Sequence, residues 1–469
     1  MKAKIPCNSA FTRQTRVIYR TRIPEELCCG YERRAAAKRI RVNMAAYNWV
    51  NHEPQGVLAR WKRQEIREGR ITAGENVEDD ERCKKMCRAK IDTLRLEQPS
   101  IDRDALLALW LEHATRNDDD RRDALEEAAD LLTRATAIAE RRFNIYGLND
   151  LRRPEASLDD LRRWRRRVCY LRDCATAPTP EPAATEAVPR LGADASAAAV
   201  AAFLARGEPV VVEGGADACV AARGAWAPAA LAASLGAKSA PLKAADAPFS
   251  EESWAGLGTK GQLPLGAFLE RPDQGLYLHD WSLPQNAPEA LLDELRTPRW
   301  LRGDLLRRCG EDVPYAGAWP SLFVGAPGTR STCHVDSGSL HFAMALVHGG
   351  AKKWRVWRRE DAAFLFPRFA VSADDVLFDA ARAGAAQPRW VVCQKPGDIV
   401  FVPSDCPHAV DNDGVTVGLA TNFVDGSNVD AVAAALADAG DAASLRLRQR
   451  LLALAGESDD VLAKRARRV

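Results

Sequence analysis

The amino-acid sequence predicts a mainly β domain, a sandwich or barrel, held between an α-helical N-terminal region and C-terminal helices. Three observations predict it. After Pro189, short β-rich runs follow one another, punctuated by Gly, Pro, Asp and Asn. Before residue 176 the chain is highly charged and its apolar residues recur at helical spacing. Beyond Asn428 it turns rich in Ala, Leu and Arg, again a helical composition. The 469-residue length leaves room for roughly two or three domains, divided here into 1–175, a linker over 176–189, the β domain over 190–427 and the helices of 428–469.

Region 1–175 is read as charged, helical and partly disordered. Its first fifty residues carry eleven Lys/Arg against three Asp/Glu. Leu125, Ala128, Leu132, Ala135 and Ala139 share one face of a helix over Asp123–Arg142. A second helix starts at the capping-box-like Ser157-Leu158-Asp159-Asp160 and runs through Trp164 to Tyr170. Arg33-Arg34 and Lys38–Arg41 read as a solvated charge run, with a nuclear address or nucleic-acid patch as the competing reading. Stretch 175–189 holds four prolines and little apolar bulk, the composition of an extended linker.

In the β domain, Ala197–Arg206 is a short helix and Pro209–Val212 a buried strand. Further strands are expected at Leu276–His279, Ser321–Val324, Phe342–Val347, Trp354–Trp357, Trp390–Cys393, Ile399–Val402 and Val415–Val424. Trp354, Trp357 and Trp390 read as packing aromatics.

The whole-chain net charge of +2 gives no strong preference for nucleic acid, and no apolar run is long enough for a membrane span. The first 24 residues hold six Lys/Arg and no acid, compatible with an organellar transit peptide or a basic arm; otherwise a cytoplasmic or nuclear location is favoured. Twelve cysteines are scattered, with Cys28-Cys29 and the Cys83/Cys87 pair as the tight spacings. Neither has a second pair at zinc-finger spacing, so free thiols in a reducing compartment are expected.

The chemistry-bearing pattern is His334-Val335-Asp336 with a distant His408. On a strand, residues i and i+2 point to one face, so His334 and Asp336 aim into a barrel together. Gly397-Asp398-Ile399-Val400-Phe401-Val402-Pro403 is a turn and buried strand that delivers His408 from elsewhere in the sheet. Two imidazoles and one carboxylate form a facial set that suits Fe(II) and leaves the opposite face open. A chance His-x-Asp is common; the downstream segment makes this pair specific. His341 and His348 are read as surface or outer residues, with a pocket role for His341 as the alternative.

These segments resemble the JmjC family of Fe(II)/2-oxoglutarate oxygenases, in particular its JmjC-only hydroxylases. The matching residues run from Trp319 to Gly325, Gly328 to Asp336, Ala345 to Trp354 and Lys395 to Pro403, then His408 and Thr421-Asn422-Phe423, with Tyr277–Trp281 upstream. The resemblance spans about residues 188–430. It implies a double-stranded β-helix of cupin type, with His334, Asp336 and His408 as the iron ligands and 2-oxoglutarate and O2 as co-substrates. It also implies Tyr277, Ser331, Lys352 and Asn422 around the 2-oxoglutarate. Lys353 rivals Lys352, because Gly349-Gly350 blurs the register. The chain departs from the family at Phe342-Ala343-Met344, where several relatives carry Asn, at Ala420, where many carry Thr, and at Cys406-Pro407, where aromatics are usual.

The implied activity is hydroxylation of a protein side chain, with a protein or peptide as partner. The alternatives are N-methyl-lysine or arginine demethylation, a non-catalytic interaction protein with a relic barrel, and a metal-bound cupin of other chemistry. The C-terminal helices are candidates for a homodimer contact.

Overall fold

A computed structural model describes residues 158–175, 184–244, 257–272, 275–310, 317–365 and 387–456, with shorter pieces within 125–137, at 367–368 and at 376–378. These fall within one compact unit, Leu106–Glu140 with Asn149–Val469. The expectations for the basic N-terminal segments and for Cys28, Cys29, Cys83 and Cys87 lie outside the described residues. In the helix expected over 123–142, Leu125, Ala128 and Leu132 are buried as its spacing requires.

The described strands form one continuous sheet. In chain order they are β1 (Glu186–Ala187), β2 (Arg190–Leu191), β3 (Val210–Val212), β4 (Ser239–Ala244), β5 (Gly258–Pro264), β6 (Tyr277–Ser282) and β7 (Ser321–Gly325). There follow β8 (Arg330–Val335), β9 (His341–Val356), β10 (Pro367–Arg368), β11 (Val376–Phe378), β12 (Trp390–Gln394), β13 (Ile399–Val402) and β14 (His408–Phe423).

β9 and β14, 16 residues each, are the spine. They pair antiparallel along their whole length, from His341↔Phe423 to Val356↔His408. The register shifts between Asp413 and Thr416, opposite Gly349-Gly350. A Cβ at Gly349 would collide with the Val415 carbonyl and one at Gly350 with the Asp413 carbonyl, so the close approach at this irregularity requires glycine. On one side of it the spine is flanked by β7 and β13, continuing to β6–β4–β5 and β3–β2. On the other it is flanked by β8 and β12, continuing to β11 and β1. Two layers joined by shared long strands are the double-stranded β-helix. The expected separate strands at 342–347 and 354–357 are thus one strand.

Alternation assigns the faces. Val210, Val212, Leu322, Val324, Ala343, Ala345, Ile399 and Phe401 pack outward against helices α2 (Ala197–Ala205) and α3 (Pro228–Leu235). The residues between them, Val211, Phe323, Met344, Val400 and Val402, pack inward around Trp354, Trp390 and Tyr277. A fully buried side chain of this kind contributes about 1.5–3 kcal/mol, and a one-residue slip would reverse the two faces.

The expected domain edges shift in the structure. β1 adds parallel to β12, Glu186 opposite Trp390 and Ala187 opposite Val391. The Thr185 hydroxyl donates to the Pro388 carbonyl at 2.9 Å, and Val188 is buried in the inner core. The end of the expected linker is therefore part of the sheet. Helix α1 (Leu158–Cys174), expected in a separate N-terminal region, is also fixed to the β domain. Tyr170 donates to the Asp405 carbonyl at 2.6 Å, and Arg165 pairs with Asp438 at 2.7 Å.

At the other end, helices α4 (Val429–Ala439) and α5 (Ala442–Ala455) are separated by Gly440 at φ +71°. Asp441 caps α5 by accepting from the Ala443 and Ser444 amides. Their apolar residues Val429, Val432, Leu447 and Leu451 pack with Leu305, Leu306 and Cys309 of the same chain. Among the described residues no helix is long and apolar enough to cross a membrane.

Candidate metal centre and its cavity

His334 lies on β8, and Asp336 follows one residue past the strand's end with extended backbone (φ −62°, ψ 139°). His408 opens β14 and is paired with His334 across the sheet. Cross-strand pairing and the i, i+2 spacing therefore bring three side chains from two strands to one point. One ligand atom from each lies within 4.8 Å of the others, and all three residues are buried.

The imidazoles are preset. His334 Nδ1 donates to the Thr332 carbonyl at 2.6 Å and His408 Nδ1 to the Cys406 carbonyl at 3.0 Å. A carbonyl can only accept, so each ring keeps its proton on Nδ1 and presents the Nε2 lone pair to a metal. Asn422 Nδ2 approaches Asp336 Oδ2 at 3.5 Å. Cys333 and Cys406 flank the ligands, but burial pushes both thiols up, so neither offers a thiolate.

The ligands open on a cavity whose wall also includes Tyr277, Ser331, Lys352, Asn422 and His279. Lys352 is fully buried. Its Nζ donates to Asn412 Oδ1 at 2.7 Å and to the Tyr277 hydroxyl at 3.2 Å. Both partners are neutral. Asn412 is held in turn by the Thr416 hydroxyl, which donates to Oδ1 at 2.8 Å, and by its own Nδ2, which donates to Thr329 Oγ1 at 2.9 Å. Space for this network comes from glycine: a Cβ at Gly325 would strike Asn412, and one at Gly418 would come within 2.6 Å of Met344 Sδ and 3.6 Å of Lys352 Cε. Lys353 points the other way and pairs with Asp413 at 2.7 Å on the surface.

The structure thus brings all seven sequence-derived residues to one cavity. Ser331 is buried in its wall. Asn422 stands beside the Asp336 carboxylate, at the metal end. Trp354 also lines the cavity; its indole donates to Gln394 Oε1 at 3.0 Å, and Gln394 donates to the Met344 and Asp398 carbonyls. Trp357 and Trp390 are buried packing residues. His341 is a buried tie: its Nδ1 accepts from the Ser404 amide and its Nε2 meets the Ser427 hydroxyl, both at 2.9 Å. His348 is half-buried on the spine, away from the cavity.

Sequence reasoning missed Asn412, Thr329 and Thr416, and also His279 and Asp280. The last two sit where the β6–β7 register shifts between Leu278 and Trp281, with Asp280 at φ +55°. This bulge turns two successive side chains toward the cavity. Burial holds the His279 imidazole well below the ordinary histidine range, and the nearby Lys243, His334 and Lys352 push it the same way.

A model of the family described as JmjC domain, hydroxylase, matches residues 383–423, the segment carrying β12, β13, His408 and the rest of β14. Over these residues the chain is similar to the JmjC family. Among curated proteins, the chain is 29% identical over 167 residues to the 2-oxoglutarate and iron-dependent oxygenase JMJD4 of Danio rerio, covering 34% of this chain and 38% of that protein. It is 27% identical over 161 residues to JMJD4 of Gallus gallus, covering 33% and 37%. It is 26% identical over 175 residues to the arginine-specific demethylase JMJ22 of Arabidopsis thaliana, covering 35% and 33%. The chain therefore spans less than two fifths of the length of these JmjC relatives.

Proposed function

We propose that this chain is an Fe(II)- and 2-oxoglutarate-dependent dioxygenase that hydroxylates a protein side chain. One observation carries the reading: a three-residue metal-ligand set and a fully buried lysine with only neutral partners share one cavity. Two imidazoles and one carboxylate fit Fe(II), with coordination positions to spare. An ammonium buried beside neutral groups is costly until an anion joins it. A dicarboxylate that reaches from the metal to Lys352 satisfies both ends.

The iron and its co-substrates supply the oxidising chemistry: 2-oxoglutarate and O2 become succinate and CO2 as one oxygen atom enters a substrate C–H bond. The protein's own residues bind, orient and shield. His334, Asp336 and His408 would hold the metal through their two imidazoles and the carboxylate. Lys352 and Tyr277 would hold the far carboxylate, with Ser331 in the same wall and Asn412 fixing the Lys352 ammonium. Asn422 orients the Asp336 carboxylate. Phe342, Met344 and Trp354 provide apolar walls that exclude water.

The JMJD4 relatives are named oxygenases and support hydroxylation; the JMJ22 match favours demethylation as the second reading. The test incubates the Fe(II)-loaded protein with 2-oxoglutarate, O2 and a proteome-derived peptide mixture. Hydroxylation gives peptide-stimulated succinate and a substrate heavier by one oxygen. Demethylation gives formaldehyde and a lighter substrate. No succinate with iron bound and 2-oxoglutarate saturating overturns the enzyme reading in favour of a partner-binding relic.

A further inference from the structure

His279 presents the cavity with a ring nitrogen that has no hydrogen-bond partner. It is 5% exposed, lines the cavity, and its Nδ1 is buried with no hydrogen-bond partner. Its ring packs edge-on to Tyr277 at 5.1 Å and to Phe323 at 4.7 Å between centroids. This contrasts with His334, His408 and His341, in each of which Nδ1 is hydrogen-bonded. A buried polar group lacking a partner is costly, and such a group in a native cavity calls for an explanation.

The position supplies one. His279 follows Tyr277 by two residues on the inward face of β6, and the bulge after it turns Asp280 toward the cavity's edge. Tyr277 touches Lys352, the cation at the deep end. His279 therefore stands one strand repeat further from that end, close enough to Lys352 and to the metal ligand His334 for both to act on it electrostatically. Those two residues mark the ends of the space assigned above to the dicarboxylate. The facing wall is apolar here, formed by Phe342 and Met344. Once the ligand occupies the cavity, His279 offers it a polar group beside those of Ser331 and Asn422.

We propose that His279 is a positioning residue for the co-substrate, its imidazole hydrogen-bonding the oxo-acid end of 2-oxoglutarate and thereby gaining the partner that the protein itself does not provide. This rests on the reading of the cavity as a 2-oxoglutarate site. The neutral ring offers one N–H and one lone pair, and it turns about χ2 to present either. The consequence has a sign that a structural histidine would not share. Replacing an unpartnered buried imidazole by an apolar side chain leaves the ligand-free protein as stable or more stable, while ligand binding weakens.

The test uses the full chain loaded anaerobically with Mn(II). Wild type, His279→Leu and His279→Gln are compared by thermal unfolding without 2-oxoglutarate, by Mn(II) affinity and by titration with 2-oxoglutarate. The expected result is an unchanged or raised unfolding midpoint and unchanged Mn(II) affinity in H279L, with 2-oxoglutarate binding weakened about five- to twentyfold. H279Q recovers most of that loss. Equal 2-oxoglutarate affinity in wild type and H279L overturns the inference, as does a fall in the ligand-free midpoint that accounts for the binding loss. Failure of the wild type itself to bind 2-oxoglutarate overturns the underlying reading of the cavity instead.

Discussion

The Tyr170 hydroxyl donates to the backbone carbonyl of Asp405 at 2.6 Å, joining an N-terminal helix to the loop that leads into His408. Asp405 has φ +61°, uncommon for a residue other than glycine. Its neighbour Ser404 donates to His341, and Cys406 supplies the carbonyl that orients His408. Its carboxylate bonds the Ser339 side chain, three residues beyond Asp336. The loops beside Asp336 and His408 are thus tied together, and α1 braces the knot.

Tyr170→Phe should therefore loosen the metal site without touching it. One hydrogen bond contributes about 1 kcal/mol, so Fe(II) or Mn(II) should dissociate about three- to tenfold faster, with the secondary structure unchanged. Metal-release kinetics against a chelator check this; identical rates would show that the brace is not coupled to the ligands.

The same contacts set the smallest folding unit. A chain beginning at Pro189 loses α1, β1 and the buried Val188, and it should unfold at a lower temperature than one beginning near residue 150. Removal of Val188 alone forfeits about 1.5–3 kcal/mol. Circular-dichroism melts of the two truncations decide it: equal midpoints would mean that the sheet does not need its parallel edge.

Asp336→Ala should abolish turnover and weaken Fe(II) binding by more than about 100-fold, beyond the 10–100-fold typical of outer contacts. The carboxylate is the only charge-balancing ligand of the three. Anaerobic titration with wild-type affinity in the variant would remove Asp336 from the ligand set.

The convergence of His334, Asp336 and His408 was legible because strand alternation and a turn–strand segment constrain it strongly. Asn412 was equally open to reading, since His408, Val410 and Asn412 alternate along one strand; it went unread because its partners Lys352, Thr329 and Gly325 come from three other segments. The register at Gly349-Gly350 could not be settled from a dipeptide, because a bulge there depends on the opposing Asp413–Thr416. The placement of His279 and Asp280 depends on a bulge that no local pattern announces. β1 escaped notice for a related reason: its pairing with residues 390–391 is just over two hundred positions away, and the surrounding prolines suggest a linker.

Lys352 and Lys353 give a direct test of that register. Lys352→Met keeps the volume and removes the charge, and it should raise the 2-oxoglutarate requirement by one to two decades, about 1.5–3 kcal/mol for a charge-assisted bond, with iron retained. Lys353→Ala loses only an exposed ion pair with Asp413 and should change little. The reverse assignment of phenotypes in 2-oxoglutarate titrations would place Lys353 inside the barrel.

Asp304 predicts how stability follows pH. Its Oδ1 accepts from the Leu306 amide at 2.9 Å and the Val424 amide at 3.0 Å, joining the end of β14 to a short helix beneath α5. Burial nevertheless pushes its carboxyl up to about 6 against an ordinary 3.8, the backbone amides and Arg307 pulling the other way. The folded state therefore holds a proton that the unfolded state has released between these values. The resulting stabilisation is complete below about pH 4 and is lost as pH rises through about 6, on the order of 2–3 kcal/mol for a shift of this size. Asp304→Asn keeps an oxygen acceptor for both amides and does not titrate. The stability difference, wild type minus variant, should fall steadily between about pH 4 and 7 in denaturant titrations. A difference that stays constant or grows over that window would mean that Asp304 is ionised in the folded protein throughout.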